Sequence, residues 1–305
     1  MANFSPMTLG TVQLGMNYGI ANNAGKPSLK KSFSILETAL RSGITALDTA
    51  RAYGNSEEVI GSFLKTWQGP APTIITKIPR LQGETPKELE KFATESVEAS
   101  LKNLGVNKVA GIMLHGAQDP MIHGSACVRA MESLLAHGYT DQVGVSVYTA
   151  QELQGMLAHD IFTMTQVPMS VFDQRLIADG SIDTLAQKGI SVFVRSVFLQ
   201  GLFFLDPDAM EDPILLEHAA PRIRSLRQTA KACGMTVAQL AIAFMRGCAG
   251  VTSLVLGADN PEQVQSNLSY FDTPLPDPST MAELKREFAN VDIPAIMTVL
   301  SRPKK

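Results

Sequence analysis

Short apolar runs alternate along the chain with longer segments whose apolar residues recur every three or four positions. The first pattern is typical of strands buried on both faces, and the second of amphipathic helices. Eight segments have the strand pattern: residues 7–9, 44–48, 73–77, 109–114, 143–147, 161–167, 190–194 and 253–256. Helical spacing is found at residues 33–40, 56–66, 86–105, 127–136, 150–157, 181–188, 222–233, 237–246, 261–268 and 281–288. This alternation predicts a parallel sheet covered by helices.

Eight repeats favour closure of that sheet into a (β/α)8 TIM barrel over an open, doubly wound sheet. An open sheet that binds a dinucleotide has a Gly-rich turn after its first strand, whereas residues 10–15 carry two glycines five positions apart and do not match that fingerprint. No linker or shift in composition divides residues 1–305, so we expect a single domain. We also expect a minimal N-terminal hairpin and a short C-terminal tail. Residues 200–221 form a long connection, and connections of that length usually have a function.

Composition and charge narrow the class of protein. Apolar residues make up 45% of the chain, and a net charge of −3 gives no electrostatic signature for nucleic acid. Cys127, Cys233 and Cys248 have no metal-ligand spacing and cannot all pair, which indicates a reducing compartment. The apolar region at residues 237–258 is interrupted by Arg246 and glycines, and the chain does not begin with a signal-peptide pattern. We therefore expect a cytoplasmic protein without nucleic-acid or membrane partners, and its oligomeric state stays open.

Polar side chains capable of proton chemistry follow three consecutive predicted strands. Asp48 ends the second strand, and Tyr53 follows on the next loop. Lys77 ends the third strand, and His115 comes directly after the fourth. Because the carboxyl ends of barrel strands meet at one rim, where the activity of this architecture is found, we expect these four side chains to lie together.

These four groups suit the transfer of one proton. A free phenol has a pKa of about 10, and we expect an ammonium on Lys77, held by Asp48, to lower the pKa of Tyr53. His115 can then hydrogen-bond and orient a substrate oxygen. Taken singly, each residue has a structural interpretation: a strand-end carboxylate, a half-buried aromatic, a surface lysine and a core histidine. Their order together favours catalysis, with hydride supplied by a bound cofactor because no metal site is indicated.

Residues 43–54, Gly-Ile-Thr-Ala-Leu-Asp-Thr-Ala-Arg-Ala-Tyr-Gly, together with Thr76-Lys77 and Leu114-His115, resemble the aldo-keto reductases. That family consists of NAD(P)H-dependent barrel enzymes that interconvert carbonyls and alcohols. The resemblance extends from about residue 9 to residue 268. It implies that Asp48, Tyr53, Lys77 and His115 are the catalytic residues.

The resemblance also implies a nicotinamide site. Gly144-Val145-Ser146-Val147 is similar to the family's Gly-Val-Ser-Asn, whose Ser and Asn hold the carboxamide, so Ser146 matches and Val147 departs. Gln166 matches the Gln that binds the same amide. Arg195 stands where the family usually has a Tyr stacked on the nicotinamide, and its planar guanidinium can stack instead. A salt bridge at the barrel mouth is the alternative for Arg195.

The phosphates and adenosine of the cofactor are expected further along the chain. Residues 196–201 resemble the family's pyrophosphate cradle, and residues 256–267 its adenosine motif. Members that prefer NADP have Lys or Arg in this second motif, whereas this chain has a carboxylate, which repels a 2′-phosphate but accepts from a ribose hydroxyl. The resemblance thus implies NADP(H) or NAD(H), with NADH made plausible by the sequence. The implied binding residues here are Ser196, Gln200, Gly201, Gly257, Asp259, Gln263 and Asn267.

The resulting hypothesis is an oxidoreductase in which Tyr53 is the proton donor for an aldehyde or ketone. An open mouth favours polar or sugar-like carbonyl compounds. The alternatives are a non-catalytic regulatory subunit of the same fold, as in potassium-channel β subunits, and a lyase that forms a Schiff base on Lys77. Tyr18 and Met16 line the substrate cleft or simply cover the barrel, and His123 is a further, weaker substrate candidate.

Overall fold

The computed structural model describes residues 4–302. Eight parallel strands pair in chain order, and the first also pairs with the last, so the sheet closes into a barrel. The strands are β1 (Met7–Gly10), β2 (Ala46–Asp48), β3 (Thr73–Ile78), β4 (Val109–Leu114), β5 (Thr140–Ser146), β6 (Phe162–Pro168), β7 (Ser191–Arg195) and β8 (Ser253–Gly257). The predicted (β/α)8 TIM barrel is confirmed.

Helices follow every strand. They are α1 (Val12–Gly15), α2 (Leu29–Arg41), α3 (Ser56–Leu64), α4 (Pro86–Leu104), α5 (Asp119–His123), α6 (Ser125–Ala136), α7 (Ala150–Leu157), α8 (Arg175–Ala178), α9 (Ser181–Gln187), α10 (Pro213–His218), α11 (Ala220–Ala232), α12 (Val237–Arg246), α13 (Pro261–Ser269), α14 (Pro278–Glu287) and α15 (Ile293–Leu300). Two 3-10 helices span Leu199–Phe204 and Tyr270–Asp272. Within residues 4–302, none of the helices is long and apolar enough to cross a membrane.

Local capping explains where the long helices begin and end. At α4, the Thr85 side chain accepts from the backbone of Glu88, and the Glu88 carboxylate accepts from the backbone of Thr85. Pro86 follows this capping box, and Gly105 ends the helix in the left-handed conformation with φ 68°. Each end therefore supplies partners for backbone groups that the helix itself leaves unpaired.

The N-terminal half of the barrel interior is filled with apolar side chains. Ile75, Met113, Met164 and Phe193 form a fully buried cluster there. Phe4 packs edge-on against Phe193, with ring centroids 4.8 Å apart. In the part of the chain that the structure describes, β1 is the first strand.

The same cluster explains why polar groups converge above it. Side chains two positions apart on a strand share one face. Each cluster residue is followed two positions later by a polar residue: Lys77, His115, Gln166 or Arg195. They therefore point into the barrel one layer closer to its C-terminal rim.

The long connection expected at residues 200–221 contains most of one 3-10 helix and all of α10. One expectation about the later chain is wrong. The helix expected at residues 281–288 is not the last helix, because α15 follows, with its first turn capped by the Asp292 carboxylate and with Pro294 in that turn. Ile293, Ile296 and Leu300 bury its apolar face.

Candidate active site

Lys77 lies at the centre of a buried hydrogen-bonded chain at the C-terminal end of the barrel. Its Nζ donates to Asp48 Oδ1 at 2.6 Å, to the Thr49 carbonyl at 3.1 Å and to the Tyr53 hydroxyl at 3.3 Å. Gln166 Nε2 donates to the same Asp48 oxygen at 2.8 Å. Lys77 is 0% exposed and Asp48 is 2% exposed. All three donor positions of the ammonium are used, as a buried charge requires.

The side chains of this hydrogen-bonded group set one another's protonation states. Burial alone would lower the pKa of Lys77, but Asp48 and Tyr53 outweigh burial, so the pKa is raised and the lysine stays charged. Burial also raises the pKa of Tyr53 above its ordinary value of 10.0, with Lys77 opposing that shift. Lys77 does lower the Tyr53 pKa, as expected, but desolvation of the phenolate is the larger effect, so the net shift is upward. At neutral pH this phenol holds its proton.

His115 stands beside Tyr53, with ring centroids 6.0 Å apart in an edge-to-face arrangement. Burial lowers the pKa of His115 to about 4, and the charges of Lys77 and Arg195 act in the same direction. The imidazole is therefore neutral at physiological pH, and a neutral imidazole has one N–H to donate.

Buried hydroxyls attach the Tyr53 loop to the ends of β1 and β2. Thr11 donates from both its backbone N–H and its hydroxyl to the Asp48 carbonyl, at 3.0 and 2.8 Å. The Ser56 hydroxyl lies 2.9 Å from the Thr11 carbonyl and 2.8 Å from the Thr11 hydroxyl, and Thr49 donates to Ser56 at 3.2 Å. These contacts hold the segments on either side of Tyr53 in place.

Two glycines bring α1 and the Tyr53 loop into contact. A Cβ on Gly15 would lie 1.7 Å from the Tyr53 carbonyl oxygen, and a Cβ on Gly54 would lie 2.3 Å from the Gly15 oxygen. Gly54 also has φ 56°, in the region that favours glycine. Only glycine fits this crossing, so α1 fixes the height of Tyr53 above the barrel.

A cavity of about 510 Å³ extends from the hydrogen-bonded side chains Asp48 and Tyr53 across the ends of β1, β7 and β8. Asp48 and Tyr53 line it, whereas Lys77 and the partly exposed His115 adjoin Tyr53 outside the lining. Tyr18 contributes to the wall, whereas Met16 and His123 do not. Nine of the predicted cofactor residues line the cavity: Gln166, Arg195, Ser196, Gln200, Gly201, Gly257, Asp259, Gln263 and Asn267.

Ser146 is the predicted cofactor residue that the cavity does not reach. It pairs with Gln166 across β5 and β6, but it is only 1% exposed. Because its neighbour Gln166 does line the wall, Ser146 lies just beneath the surface that the sequence assigns to the nicotinamide.

The β7 end of the cavity has an unusual backbone. Ser196, Leu199 and Gln200 have φ of 63°, 45° and 57°, and Gly201 has φ of 93°. Left-handed backbone at three residues other than glycine is costly and is typical of functional sites. A Cβ on Gly201 would lie 2.8 Å from the Ala21 side chain, so the loop after β1 closes against this segment.

At the β8 end, polar side chains surround the start of α13. Gln263 Oε1 accepts from the Asp259 backbone at 2.6 Å, and Asn267 Nδ2 donates to the Gly257 carbonyl at 3.2 Å. Asp259 accepts from Asn22 Nδ2 at 3.3 Å, which joins this end of the cavity to the loop after β1. In the described residues that line the cavity, Arg195 is the only Lys or Arg, and it lies at the opposite end.

Sequence reasoning missed two residues of this site. Tyr148, at the exit of β5, receives the Arg195 guanidinium over its ring at 4.2 Å from the centroid. Gln13 lies against Gly257, where a Cβ would come within 2.2 Å of Gln13 Nε2, and Gln13 Oε1 is buried without a partner among residues 4–302. The closeness of Tyr148 to the Gly-Val-Ser segment was an available signal; for Gln13 there was none beyond its position after β1.

The chain is similar to known proteins in sequence and in fold. The chain is 27% identical to the NADH-specific methylglyoxal reductase of Escherichia coli, over 84% of this chain and 86% of that protein. It is 28% identical to a protein of Schizosaccharomyces pombe assigned as a voltage-gated potassium channel subunit β, over 76% of each. The fold is similar to that of an aldo-keto reductase from Bacillus halodurans in its holo form, with a TM-score of 0.74, 22% identity and 92% of each chain covered. The model of the Aldo/keto reductase family matches residues 6–286, and the chain belongs to that family.

Proposed function

We propose that the protein is a carbonyl reductase that uses a nicotinamide cofactor, with Tyr53 as the proton donor. The observation that carries this proposal is the buried Asp48–Lys77–Tyr53 chain at the inner end of an elongated cavity. Members of the family generally bind NAD(P)H, and the methylglyoxal reductase among the relatives is a reductase by name.

The residues of the cavity fit such a cofactor. Gly201 and Gly257 line the cavity and let Ala21 and Gln13 approach where a Cβ would overlap them, and the Gln13 oxygen, without a partner among residues 4–302, can accept a hydrogen bond. Gln166 and Arg195 would hold the nicotinamide end, residues 196–201 the pyrophosphate, and Gly257, Asp259, Gln263 and Asn267 the adenosine. When bound, the nicotinamide supplies the hydride.

The protein's own groups supply and steer the proton. Tyr53 is protonated at neutral pH, so its hydroxyl can donate to a carbonyl oxygen that becomes an alkoxide. The Lys77 ammonium, 3.3 Å from that hydroxyl, stabilises the phenolate that remains. Asp48 keeps the ammonium in place, and the neutral His115 donates a second hydrogen bond to the substrate oxygen.

The adenosine end supports a preference for NADH. Asp259 is the charged residue that lines the cavity there. A 2′-phosphate would be repelled by this carboxylate, whereas a ribose hydroxyl can donate to it. The NADH-specific relative from Escherichia coli supports the same preference.

The two alternative functions make different demands. A Schiff-base lyase needs a neutral, accessible amine, but Lys77 is fully buried, hydrogen-bonded to three oxygens and raised in pKa. A regulatory subunit is favoured by the relative from Schizosaccharomyces pombe, but it has no need for a protonated phenol at the end of the cavity.

The test is the consumption of NADH, followed at 340 nm, on addition of a panel of aldehydes, ketones and sugars. We expect turnover with at least one aldehyde. Tight binding of NADH without turnover on the whole panel would favour the regulatory subunit instead, and trapping of substrate on Lys77 by borohydride would favour the lyase.

A further inference from the structure

We propose that Arg195 binds a carboxylate or phosphate group of the substrate, so that the enzyme selects anionic carbonyl compounds. This inference rests on the proposed reductase function and adds the substrate class to it. It is carried by the position of Arg195, by the partners it lacks and by the orientation of its guanidinium.

Arg195 is placed beside the reacting centre. It is the last residue of β7, it is half-buried, and it lines the cavity together with Tyr53 and Tyr18. Its charge lowers the pKa of His115 and opposes the rise in the pKa of Tyr53 and of Tyr18. A group held by this guanidinium would therefore lie in the same cavity as the proton donor.

Arg195 has no carboxylate partner among residues 4–302. Asp48, the acidic residue at its end of the cavity, is already bonded to Lys77. Of the other half-buried arginines, Arg51 pairs with Glu57 Oε2 at 3.4 Å, and Arg227 donates to the Leu205 carbonyl at 2.8 Å. Arg195 differs from both because it lines the cavity, where a cation without a carboxylate pair is suited to an anion brought in from outside.

The existing contacts of Arg195 leave its hydrogen-bond donors largely unused. Nη1 lies 3.5 Å from the Ser196 hydroxyl and Nη2 lies 3.5 Å from the Val147 carbonyl, both at the outer limit of a hydrogen bond. The strong contact is through the flat face, which stacks on Tyr148.

Faces and edges of a guanidinium serve different purposes. Stacking uses the faces, whereas the N–H groups point outward in the plane and match the two oxygens of a carboxylate or phosphate. Tyr148 covers one face and fixes the plane, so an oxyanion can approach along the edge. The second face stays available for the nicotinamide ring, and the two roles are compatible.

The test compares two aldehydes of nearly equal shape, 4-carboxybenzaldehyde and its neutral ester methyl 4-formylbenzoate. In Arg195→Met we expect KM for the carboxylate to rise about 10- to 100-fold, as loss of a charged hydrogen bond predicts. KM for the ester should rise far less, and any weaker binding of NADH, measured by fluorescence quenching, affects both aldehydes alike and leaves the difference between them intact. Arg222→Met, on the exposed face of α11, is the control and should change none of these values.

Equal changes for both aldehydes would overturn the inference. A rise in the Kd of NADH with no preference between the aldehydes would assign Arg195 to the cofactor pyrophosphate instead. Glyceraldehyde 3-phosphate against glyceraldehyde gives the same comparison for a phosphate and shows which of the two anions is preferred.

Binding measured directly separates this inference from the reductase function. If the wild type reduces neither aldehyde, calorimetric titration with the same pair still tests Arg195. We expect the carboxylate to bind the wild type at least about tenfold more tightly than the ester, and Arg195→Met to remove the difference. Equal affinities of the wild type for the two compounds would contradict the assignment even if turnover is observed.

Discussion

Lys77 is a charged side chain with no exposure to solvent, and its three oxygen partners make that burial possible. The four tetrad positions, Asp48, Tyr53, Lys77 and His115, were predicted from sequence because their chemistry is unusual at the ends of apolar strands. The direction of the Tyr53 pKa was not predicted. It depends on the competition between desolvation and the charge of Lys77, which only the three-dimensional burial decides.

The protonation states lead to a prediction for pH dependence. Reduction requires Tyr53 protonated, and its pKa is raised above 10.0, so kcat/KM should stay level through neutral pH and fall only above pH 10. His115 has a pKa of about 4, so it loses its proton near that pH and no inflection near 6.5 is expected. Measurement of kcat/KM from pH 4.5 to 10.5 checks that the profile stays level between these two limits. A basic limb centred at pH 7 to 8 would show that Lys77 dominates the Tyr53 pKa after all.

A second prediction at the residue scale concerns Asp259 and the preference between NADH and NADPH. Replacement by Ser removes the carboxylate that opposes a 2′-phosphate, so kcat/KM for NADPH should rise relative to that for NADH by about 10-fold, the scale of one charged interaction. Steady-state rates with both cofactors give the ratio. Asp208→Ser, an exposed aspartate paired with Arg224 outside the cavity lining, is the control. A wild type that already prefers NADPH strongly would contradict the role of Asp259.

At the scale of elements, most strands and long helices were predicted because periodicity and caps are local signals. The structure extends β5 back to Thr140 and shifts β7 to Ser191–Arg195, since pairing with neighbouring strands and not hydrophobicity decides where a strand ends. Five short helices were missed: α1, α5, α8, α10 and α15. Of these, α5, α10 and α15 have Pro in their first turn, and α10 and α15 have an Asp cap, so capping signals were present there without a long apolar repeat.

The contact between α1 and the Tyr53 loop gives a prediction at this scale. Gly15→Ala places a Cβ 1.7 Å from the Tyr53 carbonyl oxygen, so the loop must move, and kcat should fall at least about tenfold together with Tm. Gly25→Ala is the matched control. It lies in the loop before α2 with φ 71° and open space around it, so we expect about 1 kcal/mol of strain and an unchanged kcat. Thermal unfolding and single-substrate kinetics on both variants check this, and an unaffected kcat in Gly15→Ala would show that α1 does not fix Tyr53.

At the scale of the whole molecule, the cavity joins three parts of the barrel rim that are far apart in sequence. The Ile20 N–H donates to the Gln200 carbonyl at 2.9 Å, and Asn22 donates to Asp259. The loop after β1 is thereby tied to the segments after β7 and β8, with the cavity between them. Sequence reasoning found both of those segments by resemblance, but it could not find the loop contacts, because they depend on how a Gly-rich segment crosses the rim.

This arrangement predicts that cofactor binding stabilises the fold as a unit. NADH at 100 times its Kd should raise the free energy of unfolding by about 2.7 kcal/mol, and NADPH at the same concentration should raise it by less. Differential scanning fluorimetry with increasing concentrations of each cofactor measures the shift in Tm. Equal shifts for both cofactors would contradict the preference proposed from Asp259, and no shift with either would contradict the dinucleotide cavity.

The most direct test of the account is Tyr53→Phe, which removes one hydroxyl from the buried chain. With an aldehyde that the wild type reduces, we predict that kcat falls by about 10² to 10⁴, the usual contribution of a general acid, while the Kd of NADH stays within about twofold. Tyr139→Phe, whose hydroxyl donates to Glu98 at 2.8 Å away from the cavity, makes the same chemical change and should keep full turnover. Wild-type turnover in Tyr53→Phe would contradict the account, because the phenol between Lys77 and the cavity would then not be the proton donor.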